Sequence, residues 1–207
     1  MLGRVEAAPA RKIRSAPKPE QRRAKIADAA LLVLGKSGSR GLTHRAVDEA
    51  AGLPSGSTSN HFRTREALLE AAARRHIELD LPPPEAVEAV SSVDDPLTRD
   101  EVRALILGTL EPVLAPQARP VLAARYELAL ESTRRPALHK VMDESRQRVT
   151  ELAAIVLRRG GCGDPESHAR QLLALLDGVS VDQLQATTPT LNRAGIEQLL
   201  DRFLDTC

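Results

Sequence analysis

The chain has 207 residues, 42% of them hydrophobic, but only two Phe, one Tyr and no Trp, so its core must be built from Leu, Val, Ile and Ala, which favours packed helices over sheets. A net charge of +1 conceals an asymmetry: residues 1–75 carry 15 Lys and Arg against 7 Asp and Glu, a net of +8, and residues 76–207 carry 14 against 21, a net of −7. A basic module on an acidic body points to a polyanion docking near the N-terminal end, and the lack of an apolar leader or of ~18 consecutive apolar residues leads us to expect a cytoplasmic chain with no membrane partner.

Residues 1–18 place Arg4, Arg11, Lys12, Arg14 and Lys18 among Ala and Pro, which reads as a flexible basic arm. The first helix is expected from Glu20 to Lys36, with Ile26, Ala29, Ala30, Val33 and Leu34 on one face, and it stops in the cluster between Gly35 and Gly41. Thr43 caps a short helix over Arg45–Ala51, and Gly52 supplies the left-handed residue that ends it. Pro54 and Ser55 open a second short helix reaching His61. Thr64 caps a fourth helix, residues 65–79, which turns Leu68, Leu69 and Ala72 inward. The stretch from Asp80 to Asp95, with Pro82, Pro83 and Pro84 inside it, reads as an interdomain connection.

Beyond that connection every segment reads helical. Thr98 and Glu101 form a capping box ahead of Val102, Leu105, Ile106 and Leu110, and Pro112 is expected to end or kink that helix. Another helix spans about Pro120 to Ser132, and a long one runs from Leu138 to Val156 and stops at Gly160 and Gly161. Asp164 and Pro165 open the next, carrying Leu172, Leu173, Leu176 and Val179. The last presents Ile196, Leu199, Leu200, Phe203 and Leu204. No strand or repeat is visible, so the fold class is all-α.

Chemistry-bearing motifs are sparse. Cys162 and Cys207 lack metal-type spacing and read as free thiols, and His76, His139 and His168 are too dispersed to signal a metal, so neither metal nor cofactor is expected. No phosphate loop, paired zinc histidines or nucleophile elbow appears, which argues against an enzyme.

The informative stretch is GLPSGSTSNHF, residues 52–62. Ser, Thr and Asn each lie roughly 0.5 kcal/mol below Ala in helix propensity, so a helix here forms only because its neighbours hold it. Helix, glycine turn and a second helix of small polar side chains is the arrangement of a helix-turn-helix, whose second helix enters the major groove. Short hydroxyl and amide groups let that backbone approach DNA closely. Leu53 and Phe62 flank the helix as apolar anchors.

Residues 42–69, LTHRAVDEAAGLPSGSTSNHFRTREALL, resemble the DNA-binding segment of the TetR family of bacterial transcriptional regulators. Ala51-Gly52, Gly56, His61-Phe62, Arg65 and Leu68-Leu69 fall at family spacing. The resemblance covers about a quarter of the chain. It implies a helix-turn-helix domain over 19–64, a linking helix over 65–80, and a helical domain over 81–207 that binds an effector and dimerises. By the same resemblance Thr43, His44 and Arg45 contact phosphate, Ser55, Gly56, Ser57, Thr58, Ser59 and Asn60 form the recognition helix, and His61 and Arg65 touch the DNA backbone. The sequence departs from the family pattern at Ser59 and Asn60, where aromatics are usual. Asn60 thereby becomes a candidate for bidentate contact with adenine.

A repressor released from a pseudo-palindromic operator by a small molecule is the implied function. The second reading is a ligand-binding dimer whose DNA binding is non-specific, carried by phosphate charge alone. The effector cavity is expected to be mostly aliphatic, with Arg125, Tyr126, His139 and Met142 as contacts, together with Glu127 and Glu131. So few aromatics disfavour a flat polycyclic ligand. Leu172, Leu173, Leu176, Val179, Leu199 and Phe203 are expected at the homodimer interface, with intramolecular core as the alternative for these apolar faces.

Overall fold

The computed structural model describes residues 19–82, 84–92, 95–185 and 190–207; the basic arm over 1–18 lies outside them. Regular structure among the described residues is helical throughout: α1 (Pro19–Gly41), α2 (His44–Ala50), α3 (Ser57–His61), α4 (Arg65–Asp80), α5 (Pro84–Ser91), α6 (Arg99–Leu114), α7 (Arg119–Ser132), α8 (Pro136–Arg159), α9 (Pro165–Gln185) and α10 (Arg193–Leu204), with one tighter 3-10 turn at Pro116–Ala118.

The helix starts follow from side-chain caps. Thr43 accepts from the Ala46 amide and Thr64 from the Ala67 amide, each at 3.1 Å. Thr98 and Glu101 complete a reciprocal capping box at the start of α6, satisfying amides that have no partner in the first turn. Gly38, with φ 65 and ψ −178, breaks α1 inside the expected glycine cluster, so the last residues to Gly41 form a separate short turn. Two expectations differ from the structure. The connection from Asp80 to Asp95 contains α5, whose first residue is Pro84, a position where a missing N–H costs nothing. And α6 continues past Pro112 to Leu114.

Two apolar cores result. The first joins α1, α2, Phe62 and α4, and continues into Ala124 and Leu128 of α7 and Leu138 and Val141 of α8. The expected boundary at residue 64 is therefore not a break in packing: the head is built onto the body. The second core joins α6, the C-terminal half of α8, α9 and α10. Leu172, Leu173 and Val179 are buried within the single chain, so they serve as intramolecular core and offer little surface to a second copy. Leu176, Leu199 and Phe203 remain half-buried. No helix among the described residues is long and apolar enough to cross a membrane.

Candidate nucleic-acid interface and effector cavity

The geometry of the head turns on Asp48, a buried carboxylate on α2 that sequence reading passed over. Its Oδ2 accepts from the Gly56 amide at 2.8 Å, and its Oδ1 from both the Thr58 amide at 2.7 Å and the Thr58 hydroxyl at 2.6 Å. Gly56 sits at φ 88, a left-handed conformation that only glycine adopts cheaply. One carboxylate thus satisfies the orphan amides at the start of α3 and bolts that weak helix to α2. Burial by itself would raise the Asp48 pKa, but the Thr58 and Gly56 hydrogen bonds and the nearby His44 outweigh it and hold the carboxyl below its ordinary range.

That bolt decides which side chains are free. Thr58 is fully buried, so the expectation that it contacts DNA is corrected: its hydroxyl faces inward to Asp48. His44 is half-buried, with Nε2 2.6 Å from the Phe62 carbonyl, which ties the start of α2 to the end of α3. Arg65 donates to the Ser39 carbonyl at 2.6 Å and to its hydroxyl, which ties α4 to the end of α1. Ser57 is half-buried and donates to the Pro54 carbonyl at 2.6 Å. The remaining candidates Thr43, Arg45, Ser55, Ser59 and Asn60 are exposed. The Ser59 hydroxyl donates to the Gly56 carbonyl at 2.9 Å, and the Asn60 amide has no side-chain partner among the described residues. Arg63, which sequence reading did not single out, is exposed on the same segment. His61 is half-buried, and its carbonyl accepts from Arg23, whose guanidinium lies 4.5 Å over the Phe62 ring.

Ser39 is also where head meets body. Its amide donates to Glu127 Oε2 at 2.9 Å and its hydroxyl to Glu131, which pairs in turn with Arg135. Glu127 and Glu131 therefore face α1, not the cavity, a correction to their expected role.

The opposite side of α7 faces an opening of about 320 Å³ whose lining includes Arg125, Tyr126, His139 and Met142, the four expected contacts. Asp177 on α9 anchors its polar end, accepting from Arg125 and Arg146 at 2.9 Å each, while its carbonyl accepts from the Tyr126 hydroxyl at 3.1 Å. A second opening, about 670 Å³ and almost wholly aliphatic, adjoins the first through Asp80, Thr109, Val149, Leu173 and Leu176. Asp80, at the end of α4, stands at the shared wall, and among the described residues its partners are distant, Arg125 at 3.6 Å and His76 at 4.0 Å.

His76 lines the smaller opening, is buried, and its Nδ1 has no hydrogen-bond partner among the described residues. Burial lowers its pKa, Asp80 opposes that and Arg125 adds to it, with a net fall below the ordinary value. The folded chain therefore keeps His76 neutral where an unfolded chain takes up a proton. Below about pH 6.5 the unfolded state binds more protons, so stability falls on acidification, by at most ~1.4 kcal/mol per pH unit for one group. Thermal unfolding at a series of pH values between ~7.5 and ~5.5 should show this loss, and His76→Gln should flatten it; an unchanged slope in the variant would assign the dependence to another group.

The structure also gathers residues that sequence spacing kept apart: Cys162, His168 and Cys207 bring their ligand atoms within 4.8 Å of one another. Neither the spacing of the cysteines nor that of the histidines signalled this trio.

Comparison with known proteins agrees with this architecture. Residues 97–206 match the family described as "Tetracyclin repressor-like, C-terminal domain". The chain is 28% identical over 187 residues to the HTH-type transcriptional regulator BetI of Paraburkholderia phymatum, covering 90% of this chain and 92% of that one. Among solved structures, a TetR-family member from Streptomyces coelicolor A3 is 35% identical with a TM-score of 0.68, covering 88% of this chain and 98% of that one. The multidrug binding protein EbrR, complexed with malachite green, is 35% identical with a TM-score of 0.64 over the same shares. With a capped helix-turn-helix in its basic head and this match along its body, the chain belongs to the TetR family and is a DNA-binding transcriptional regulator, not an enzyme.

Proposed function

We propose that the protein is a cytoplasmic homodimeric repressor that reads a pseudo-palindromic operator with α3 and releases it when an amphiphilic cation fills the openings beside α7. The observation that carries the DNA half is the fixed presentation of Ser59 and Asn60: Asp48 holds α3 from behind, and both side chains point to solvent. Two such helices in a symmetric dimer would enter successive major grooves, with half-site centres about 34 Å apart or a related spacing. Leu199 and Phe203 of α10, with the exposed Ala174 and Gly178 of α9, are the face assigned to a second copy, whereas Leu176 lines both openings.

Base reading and phosphate contact should separate by mutation. Asn60→Ala is expected to relax preference at one position of each half-site, by about 1–3 kcal/mol against the correct base. Arg45→Ala should weaken all sequences alike and reduce the salt slope by about 1. Equal losses on every duplex in both variants would contradict the division.

The effector half rests on Asp80. It is the loosely partnered carboxylate where the polar and aliphatic openings meet, so a ligand with a positive head and an apolar body would satisfy both. EbrR holds malachite green, and aliphatic walls here would grip such a body by buried area. A ligand bound there touches α4 through His76 and Asp80 and α7 through Arg125 and Tyr126, the two helices tied to α1 at Ser39. A 100-fold loss of DNA affinity requires about 2.7 kcal/mol of differential binding between the two head positions. Titration of malachite green against the protein should saturate, and Asp80→Asn should weaken it roughly tenfold, about 1.4 kcal/mol. Equal affinity in the variant would remove Asp80 from the site.

A further inference from the structure

We propose that Cys162, His168 and Cys207 form a binding site for a thiophilic divalent metal ion, Zn²⁺ foremost, which ties the end of α10 to the turn between α8 and α9. The Cys162 Sγ lies 2.9 Å and the Cys207 Sγ 3.4 Å from the same nitrogen, Nδ1 of His168. In a tetrahedral zinc site, bond lengths of ~2.3 Å to sulfur and ~2.0–2.1 Å to nitrogen place ligand atoms about 3.6–3.8 Å apart. The three atoms here fall within 4.8 Å. Reaching ligation distance thus requires shifts of well under an ångström to about one ångström.

Each ligand is placed by backbone that is already fixed. The Cys162 amide donates to the Leu157 carbonyl at 3.0 Å, and Gly161, at φ 84, turns the chain so that this buried thiol faces α9. His168 sits in the first turn of α9 with its amide on the Asp164 carbonyl at 3.0 Å, and Phe203 meets its ring edge-on at 6.1 Å. The Cys207 amide donates to the Leu204 carbonyl at 3.3 Å. Two positions six residues apart, Cys162 and His168, and Cys207, 39 positions beyond His168, thus converge on one point.

Two thiols and an imidazole select zinc or a softer ion over magnesium and calcium, which prefer oxygen. Binding releases the two thiol protons to solvent, and the two thiolates balance the ion's charge, leaving a neutral site. Three protein ligands leave a fourth position for water or an exogenous ligand. Cys207 is exposed and His168 half-buried, which gives the ion a way in. Nothing in the DNA or effector reading depends on this site, and its test uses neither.

The test takes the full chain, reduced and stripped of metal, and titrates it with Co²⁺ as a spectroscopic stand-in, followed by Zn²⁺ in competition with a coloured chelator. One equivalent per chain, with a near-ultraviolet thiolate-to-cobalt band that Zn²⁺ abolishes, is the expected result. Cys207→Ser leaves the buried core untouched and should weaken Zn²⁺ by ~100-fold or more, beyond the ~10–100-fold that loss of a mere supporting partner brings; His168→Ala should do likewise. Absence of the cobalt band in a chain whose circular dichroism is fully helical would overturn the proposal. So would affinity unchanged in Cys207→Ser, or thiol counting that finds a Cys162–Cys207 disulfide together with no metal uptake after reduction.

Discussion

Asp48→Ala is expected to cost the protein about 3–5 kcal/mol and to abolish DNA binding. The carboxylate takes three hydrogen bonds, from Gly56 and twice from Thr58, and bonds to a charged group are worth about 1.5–3 kcal/mol each, with a further penalty when buried donors are stranded. Thr58 is wholly inaccessible, so its amide and hydroxyl cannot turn to water instead. Against a typical total of about 5–15 kcal/mol, such a loss melts the head or leaves it in a minor state. Asp48→Asn keeps one acceptor for Thr58 but sets an amide donor against the Gly56 amide, so it should fall between wild type and Ala. Denaturant unfolding measures the first effect and duplex titration the second. Because the Asp48 pKa is lowered by folding, its contribution is fully present at neutral pH and is lost only as pH falls through the lowered value, below the ordinary carboxylate range. Wild-type stability in Asp48→Ala would mean that α3 is held by Leu53 and Phe62 alone.

The second large effect is expected at Gly35, where a stabilising rule should reverse sign. Gly→Ala inside a helix ordinarily gains up to about 1 kcal/mol. Here an added Cβ would overlap the Pro120 carbonyl oxygen and lie 2.6 Å from its carbon, both backbone atoms of α7. Neither backbone can yield without separating α1 from α7, the helix pair that joins head to body through Ser39 and Glu127. Overpacking of this kind costs about 3 kcal/mol or more, a fall in Tm of roughly 6–12 °C for a chain of this size. The effector response should weaken with it, since α7 would lose its grip on α1. A Tm raised or unchanged in Gly35→Ala would show that the two backbones are not in contact.

These two residues mark the limit of what the sequence made legible. Local signals carried the helices: the hydroxyls of Thr43, Thr64 and Thr98, the left-handed Gly52 and the break at Gly38 each act within a few residues, so their effect can be read along the chain. The short α3 and its exposed Ser59 and Asn60 followed from the same kind of signal. What could not be read were ties across the fold. Asp48 grips residues eight and ten positions on, Arg65 reaches back to Ser39, and Asp177 collects Arg125 and Arg146 from two other helices. No periodicity encodes such pairs, which is why Thr58 read as a DNA contact and Glu127 and Glu131 as cavity walls. The helix α5 was hidden for a different reason: three consecutive prolines suggested a spacer, yet a proline is acceptable as a first helical residue. Leu172, Leu173 and Val179 were apolar enough for an interface, but apolarity alone does not say which partner covers them.

A recognition helix α3 held by Asp48 should read sequence. The most direct test is capture of sheared genomic DNA by the purified full chain at about 150 mM salt, where binding through phosphate charge alone is already weakened. Recovery of one or a few sites that share a pseudo-palindrome is expected, with the motif losing definition at one position of each half-site when Asn60→Ala is used in place of wild type. Diffuse recovery with no common motif, the same for both proteins, would contradict this and leave a regulator that grips DNA through its basic surface without reading it.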